Sequence, residues 1–199
     1  MIRTHNLFPL RWERLSGDFW PAVFANDNPV AIEIGPGLGE FLETIALREP
    51  NWNFFAVERS HSHARTIQQR IDRKQLSNAR VIRCEAEFVL ALLPDNCVDG
   101  YYIQFPDPWW KRRHHRRRLM TPAVVSQLHR TLRPGRCIEF ITDVEEYFAL
   151  AFGALDAEPG LEHIPTDPDL LTATSFSRKA AARGWKLSAS THRKLAGEA

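Results

Sequence analysis

From Val30 onward, short apolar runs alternate with stretches in which apolar residues recur every third or fourth position. Val30-Ala-Ile-Glu-Ile34 is a compact run that ends in glycines. Phe41, Leu42, Ile45 and Ala46 follow at helical spacing until Pro50 and Asn51 stop the pattern. The rhythm then repeats. It predicts a second strand over 54–57, a polar helix over 61–75, a third strand over 79–84, a short helix over 88–93 and a fourth strand over 98–105. Thr121 is placed to cap a helix with Pro122 at its first position and Val124, Val125, Leu128 and Leu132 on its apolar side. A fifth strand is expected over 136–141, with a helix running on through Tyr147 and Phe152. Strands that alternate with helices point to an α/β fold whose mostly parallel sheet is covered on both faces. Near the end, Trp185, Leu187, Ala189 and Thr191 alternate with polar residues, which predicts a last, half-buried strand of the antiparallel kind found in mixed sheets. Residues 1–28, with Trp12, Phe19, Trp20 and Phe24 spaced through them, read as an N-terminal extension packed on a single domain.

Composition adds bounds rather than direction. A chain of 199 residues is enough for one domain with a full core, and a hydrophobic share of 44% beside 25% charged residues is ordinary for a globular protein. The net charge of +2 indicates no partner by itself, so the distribution of charge matters more. Cys84, Cys97 and Cys137 lie far apart, form no CxxC pair and sit in or beside strand-like runs. They are expected to be reduced, buried thiols of a cytoplasmic protein. No run approaches the roughly 18 apolar residues that a membrane helix needs. The charges at Arg3, Arg11, Glu13, Arg14 and Asp18 interrupt anything resembling a signal peptide.

Two segments carry candidate chemistry. The first is Glu33-Ile-Gly35-Pro-Gly37-Leu-Gly39-Glu40, which follows a strand and opens a helix. Glycines there let the backbone turn tightly and approach a ligand. A dinucleotide fingerprint would have a small residue where Glu40 stands, and a carboxylate there would repel a pyrophosphate, so the loop suits a ligand without phosphates. Glu58 ends the second strand, 19 residues after Gly39, where an acid can accept both hydroxyls of a ribose. Glu33 can face the positive methionine end of S-adenosylmethionine, and Glu85, after the third strand, can reach the adenine amino group.

The second segment ends the fourth strand: Phe105-Pro-Asp107-Pro-Trp109-Trp-Lys111, running on to Arg118. Ligands of open α/β sheets lie at the carboxyl ends of strands. Pro106 and Pro108 stiffen the backbone on both sides of Asp107, which should face the donor's methyl group. Of the eight residues Lys111 to Arg118, six are Lys or Arg and two are His. Such a block repels itself unless an anion neutralises it. Beside tryptophans it suits RNA, with Arg116, Arg117 and Arg118 on phosphates and an aromatic on a base. His114 and His115 have no acid or cysteine nearby to complete a metal site, and no metal is expected.

At these residues the chain resembles the bacterial-type tRNA (guanine-N7)-methyltransferases. The resemblance runs over residues 30–150 and rests on the glycine loop, Glu58, the FPDPW segment with its KRRHHRRR tail, and Thr142-Asp143 after the fifth strand. It implies a Rossmann-like class I methyltransferase fold with a mostly parallel seven-stranded sheet and one antiparallel strand. It implies S-adenosylmethionine as cofactor and a guanine in the tRNA variable loop as target, for a protein acting as a monomer or homodimer. Glu33, Gly35, Gly37, Gly39, Glu58, Glu85 and Asp107 would then hold the cofactor, with Asp107 also catalytic. Lys111 and Asp143 would contact the guanine or its surroundings. A Thr-x-x-Glu motif of the family falls at Thr174 to Ser177, but Ser177 stands where the Glu should be, and the family's longer basic arm before the first strand is short here. Two alternatives stay open. An exocyclic-amine methyltransferase would place (D/N)PP(Y/F/W) at this strand end, whereas Asp107 here is followed by one proline only. A scaffold that binds RNA or a partner without turnover is favoured by Ser177 and the short N-terminus, and opposed by Glu33, the glycines, Glu58 and Asp107.

Overall fold

The computed structural model describes residues 19–169 and 175–196. The elements in chain order are α1 (Trp20–Phe24), β1 (Val30–Ile34), α2 (Glu40–Arg48), β2 (Asn53–Glu58), α3 (His61–Lys74), β3 (Ala79–Arg83), α4 (Ala86–Leu92), β4 (Val98–Gln104), α5 (Pro122–Thr131), β5 (Leu132–Thr142), α6 (Glu145–Asp156), β6 (Leu161–Ile164), α7 (Ser175–Ala182) and β7 (Ser188–Lys194). A short 3-10 helix, Arg112–Arg117, lies between β4 and α5.

The strands form one seven-stranded sheet in the order β3-β2-β1-β4-β5-β7-β6. β1 pairs in parallel with both β2 and β4, so the strand order reverses at β1 and a crevice opens between the carboxyl ends of β1, β2 and β4. β7 runs antiparallel to both β5 and β6 and is the one reversed strand. β1 and β2 are buried along their whole length, as expected of strands covered on both faces. The core divides accordingly. Phe41, Leu42, Ile45, Ala64, Ile67 and Ile71 pack beneath α2 and α3 on one face, while Tyr101, Leu128, Phe140, Tyr147 and Leu155 pack with α4, α5 and α6 on the other. Trp20 anchors α1 to the second face by donating its indole N–H to the Cys97 carbonyl at 2.8 Å. Thr121 caps α5 by accepting from the Val124 N–H at 3.3 Å, as the sequence predicts.

Four elements depart from the expected pattern. β5 begins at Leu132 rather than at 136, with a register shift between Val98 and Gly100 on β4. Its polar start is fixed by Asp99, a buried acid on β4. Asp99 accepts the Val30 N–H at 2.9 Å and pairs with Arg133 and Arg136 at 3.3 Å each. β7 begins at Ser188, and Trp185 is exposed outside it. Because β7 lies between β5 and β6, Ser190, Thr191 and His192 are all buried and the strand has no simple inside-outside alternation. β6 and α7 are further elements that the pattern did not locate. The N-terminal extension is described only from Phe19, so Trp12 lies outside the described residues. Cys97 is buried, Cys84 and Cys137 are half-buried, and all three are free thiols. Burial pushes the Cys97 thiol up to about 12, so it stays protonated and unreactive.

Candidate active site

A cavity of about 310 Å³ lies at the carboxyl ends of β1, β2 and β4. Gly35 and Gly37 form one side, Glu58, Arg59, Ser60 and His63 the second, Cys84 to Glu87 the third, and Phe105, Pro106, Asp107, Trp109 and Arg117 the fourth. Gly35, Gly37, Glu58, Glu85 and Asp107, far apart in the chain, therefore meet around one space.

Each wall has a local cause. Gly35 and Gly37 have φ of +71° and +57°, a region that costs L residues strain, and a Cβ at either would meet no heavy atom within 4 Å. The open volume beside the loop is thus free for a ligand. Gly39 differs. At φ +75° it caps α2, and a Cβ there would approach Ile67 Cγ1 at 2.9 Å, so this glycine lets α2 close on α3. It does not line the cavity, and its observed role is in packing.

Glu58 is 5% exposed, and its Oε1 accepts the Ser60 N–H at 2.7 Å, which turns the chain into α3 and fixes the carboxylate. Glu33 does not line the cavity but lies on β1 beneath the loop, on the face that α2 and α3 cover. Its Oε2 is buried with no hydrogen-bond partner. Burial first, and the negative charge of Glu58 second, push the Glu33 carboxyl up to about 8. An unpartnered buried carboxyl beside a second acid calls for a cation, and the ammonium and sulfonium of S-adenosylmethionine are of that kind. Open space at the glycines, a fixed acid at a ribose position and this orphaned oxygen together fit the cofactor that the sequence implies. Glu85 lines the cavity as an exposed acid at the start of α4.

Asp107 faces the cavity from the segment after β4. Phe105 and Trp109, bracketing Pro106-Asp107-Pro108, both have φ of +49°, a strained region for bulky side chains. Arg59 donates to Asp107 Oδ2 at 3.2 Å and also stacks over Trp109, with its guanidinium carbon 5.4 Å from the ring centroid. Arg117 stacks on the same ring at 5.0 Å. Arg59 is a residue that sequence reasoning passed over, although its place after Glu58 at a strand end is the available signal.

The basic run divides into separate roles. The Arg118 side chain is 2% exposed. It donates to the Pro108 carbonyl at 2.8 Å and to Glu146 Oε1 at 3.0 Å, and it covers the Tyr147 ring. Where phosphate contact is expected of Arg118, the structure turns its side chain inward, onto the Pro108 carbonyl and Glu146 of α6. Arg117 serves the cavity wall. Lys111, Arg112, Arg113 and Arg116 are exposed, and none has an acidic partner among the described residues. Trp110 beside them is 74% exposed.

Other expected substrate residues do not reach the cavity. Lys111 is exposed beyond its rim, and Asp143 is half-buried between β5 and α6. Ser177 is fully buried within α7 and does not line the cavity. Thr174 lies outside the described residues. Among the described residues no group of three or more His, Cys, Asp or Glu can hold a metal ion, and no helix is long and apolar enough to cross a membrane.

The model of a family described as "Putative methyltransferase" matches residues 27–194. The chain is similar to the tRNA (guanine-N(7)-)-methyltransferase of Cupriavidus necator, with 38% identity over 173 residues that cover 83% of this chain and 66% of the relative. The protein of the same name from Cupriavidus pinatubonensis is 35% identical, with 83% and 68% covered. The chain thus spans about two thirds of the length of these relatives. Among solved structures, a 16S rRNA (adenine(1408)-N(1))-methyltransferase from Catenulisporales acidiphilia with cosubstrate SAM superposes with a TM-score of 0.62 at 16% identity, covering 94% of both chains. That likeness concerns the fold.

Proposed function

The chain belongs to the tRNA (guanine-N(7)-)-methyltransferase family, and on that premise we propose that it transfers a methyl group from S-adenosylmethionine to N7 of a guanine in tRNA, within the variable loop. The observation that carries the reading is the meeting of Asp107 with Gly35, Gly37 and Glu58 around one cavity, beside basic side chains that have no acidic partner among the described residues.

When bound, S-adenosylmethionine supplies a methyl group made electrophilic by its sulfonium. Glu58 accepts the ribose hydroxyls, Glu85 reaches the adenine edge and Glu33 balances the positive methionine end. N7 of guanine carries a lone pair and no proton, so no strong general base is needed and catalysis is positioning and electrostatics. Asp107 accepts from the amino edge of guanine and stabilises the positive charge that grows on the ring. Lys111 and Asp143 belong to the RNA-facing rim. The test is incubation of tRNA with labelled S-adenosylmethionine, followed by digestion to nucleosides. Label in N7-methylguanosine is the expected product. Label in N6-methyladenosine or in a methylated cytosine would transfer the chain to the exocyclic-amine class, and absence of label would leave a binding scaffold.

Two further results follow from the electrostatics. A cation is held best when Glu33 is ionised, and burial keeps that carboxyl protonated up to about pH 8. Its folded pKa lies above the ordinary value, so affinity for the cofactor rises with pH and levels off above about 8. The rise is at most about tenfold per pH unit. Calorimetry from pH 6 to 9 reads this directly. Glu33→Gln should weaken binding and flatten the profile, and a flat profile in the unaltered protein would contradict the assignment. On the basic face, Arg116→Ala should weaken RNA binding and reduce the slope of log affinity against log salt by about 0.7–0.9, one phosphate contact. An unchanged slope would mean that Arg116 does not touch phosphate.

A further inference from the structure

We infer that Arg59 is a positioning residue: through its ion pair with Asp107 and its stack on Trp109, it holds the strained turn after β4 in the conformation that presents the Asp107 carboxylate to the cavity. The inference rests on the proposed methyl transfer to guanine and names a residue that sets its geometry.

The turn does not hold itself. Phe105 and Trp109 occupy left-handed backbone conformations on either side of Pro106-Asp107-Pro108. Bulky residues persist there only when their surroundings over-determine the conformation. Pro106 restricts Phe105, whose N–H is bonded to the Ile141 carbonyl at 2.7 Å, and Arg118 holds the Pro108 carbonyl at 2.8 Å, so the end that depends on side-chain contacts is Trp109. At the far end, the Trp109 ring lies against two guanidiniums, Arg59 at 5.4 Å and Arg117 at 5.0 Å from its centroid, with the His114 ring edge-on at 5.9 Å. Arg117 and His114 belong to the same stretch of chain and move with the turn. Arg59 does not: it follows Glu58 at the end of β2, on the other side of the cavity. It is the bridge that ties the substrate-side turn to the cofactor-side wall.

The chemistry of arginine suits both contacts at once. A planar guanidinium presents its face to an aromatic ring and its N–H edge to a carboxylate. The ion pair alone is weak, because Arg59 and Asp107 are 51% and 70% exposed. The stack on Trp109 fixes the guanidinium and removes much of the entropy that an exposed pair would lose. The same pair also keeps the Asp107 carboxylate turned toward the β2 side, where Glu58 stands, until the base arrives.

The experiment compares the unaltered protein with Arg59→Met and Arg59→Lys. Met keeps the aliphatic bulk and loses both contacts, and Lys keeps the charge pair but not the planar stack. The expected result with tRNA is a kcat about tenfold lower for Arg59→Met, with KM for tRNA and affinity for S-adenosylmethionine within about threefold. Arg59→Lys should recover part of that loss. A second readout needs no turnover. In protein labelled with 5-fluorotryptophan, the 19F resonance that disappears in Trp109→Phe should shift in Arg59→Met. If the unaltered protein makes no N7-methylguanosine, the proposed function fails, and the 19F shift still tests the bridge. If the unaltered protein is active and Arg59→Met matches it in kcat, the inference is overturned. A loss confined to KM for tRNA would overturn it too, because Arg59 would then be a phosphate contact.

Discussion

Asp107→Ala is expected to lower kcat for N7 methylation by about a hundred- to a thousandfold while leaving the fold in place. The side chain is 70% exposed and its one charged partner, Arg59, is half exposed, so its removal costs the fold under about 1 kcal/mol. The loss falls on the reaction because the carboxylate faces the place where positive charge develops on guanine, and water that replaces it is not fixed in orientation. Asp107→Asn separates charge from shape, since the amide retains an accepting oxygen without the negative charge. Single-turnover rates of the two variants, with calorimetry of the cofactor alongside, measure both effects. An Asp107→Ala variant within a few-fold of the unaltered rate would remove this carboxylate from the mechanism.

The second large effect is on stability. Arg118→Met should lower the free energy of unfolding by about 2–4 kcal/mol. Its side chain is buried, and it serves the Pro108 carbonyl, Glu146 and the Tyr147 ring together. Met fills similar volume but leaves the carbonyl without its donor. For a chain of this size the corresponding fall in Tm is roughly 5–12 °C. The salt dependence of RNA binding should stay as it is, the opposite pattern to Arg116→Ala. A Tm unchanged in Arg118→Met, together with a shallower salt slope, would return Arg118 to the RNA face.

Those two arginines, two positions apart, show where sequence stops being informative. The run Lys111 to Arg118 has no internal pattern that marks one member as structural. Burial of Arg118 depends on Glu146 and Tyr147 of α6, which are distant in the chain. Asp107 was legible because two prolines restrict the backbone and a predicted strand end gives its location. Gly35 and Gly37 were legible for the same reason, whereas Gly39 owes its presence to Ile67 on α3, a tertiary contact that spacing does not reveal. β6 is four residues long with two polar members and shows no alternation to read, whereas the alternation through Ala189 and Thr191 located the antiparallel β7 but not its bounds, because its middle is buried between β5 and β6. Arg59 was hidden because a single charged residue after a strand reads as solvated surface. Its meaning comes from Trp109, which the fold brings from 50 residues later in the sequence.

A structure determined with S-adenosylmethionine bound tests most directly whether this cavity joins donor and acceptor. The account predicts the ribose hydroxyls on Glu58, the methionine end beside Gly35 and above Glu33, and the sulfonium methyl directed toward Asp107. A cofactor lodged elsewhere, or one whose methyl is turned away from Asp107, would contradict it.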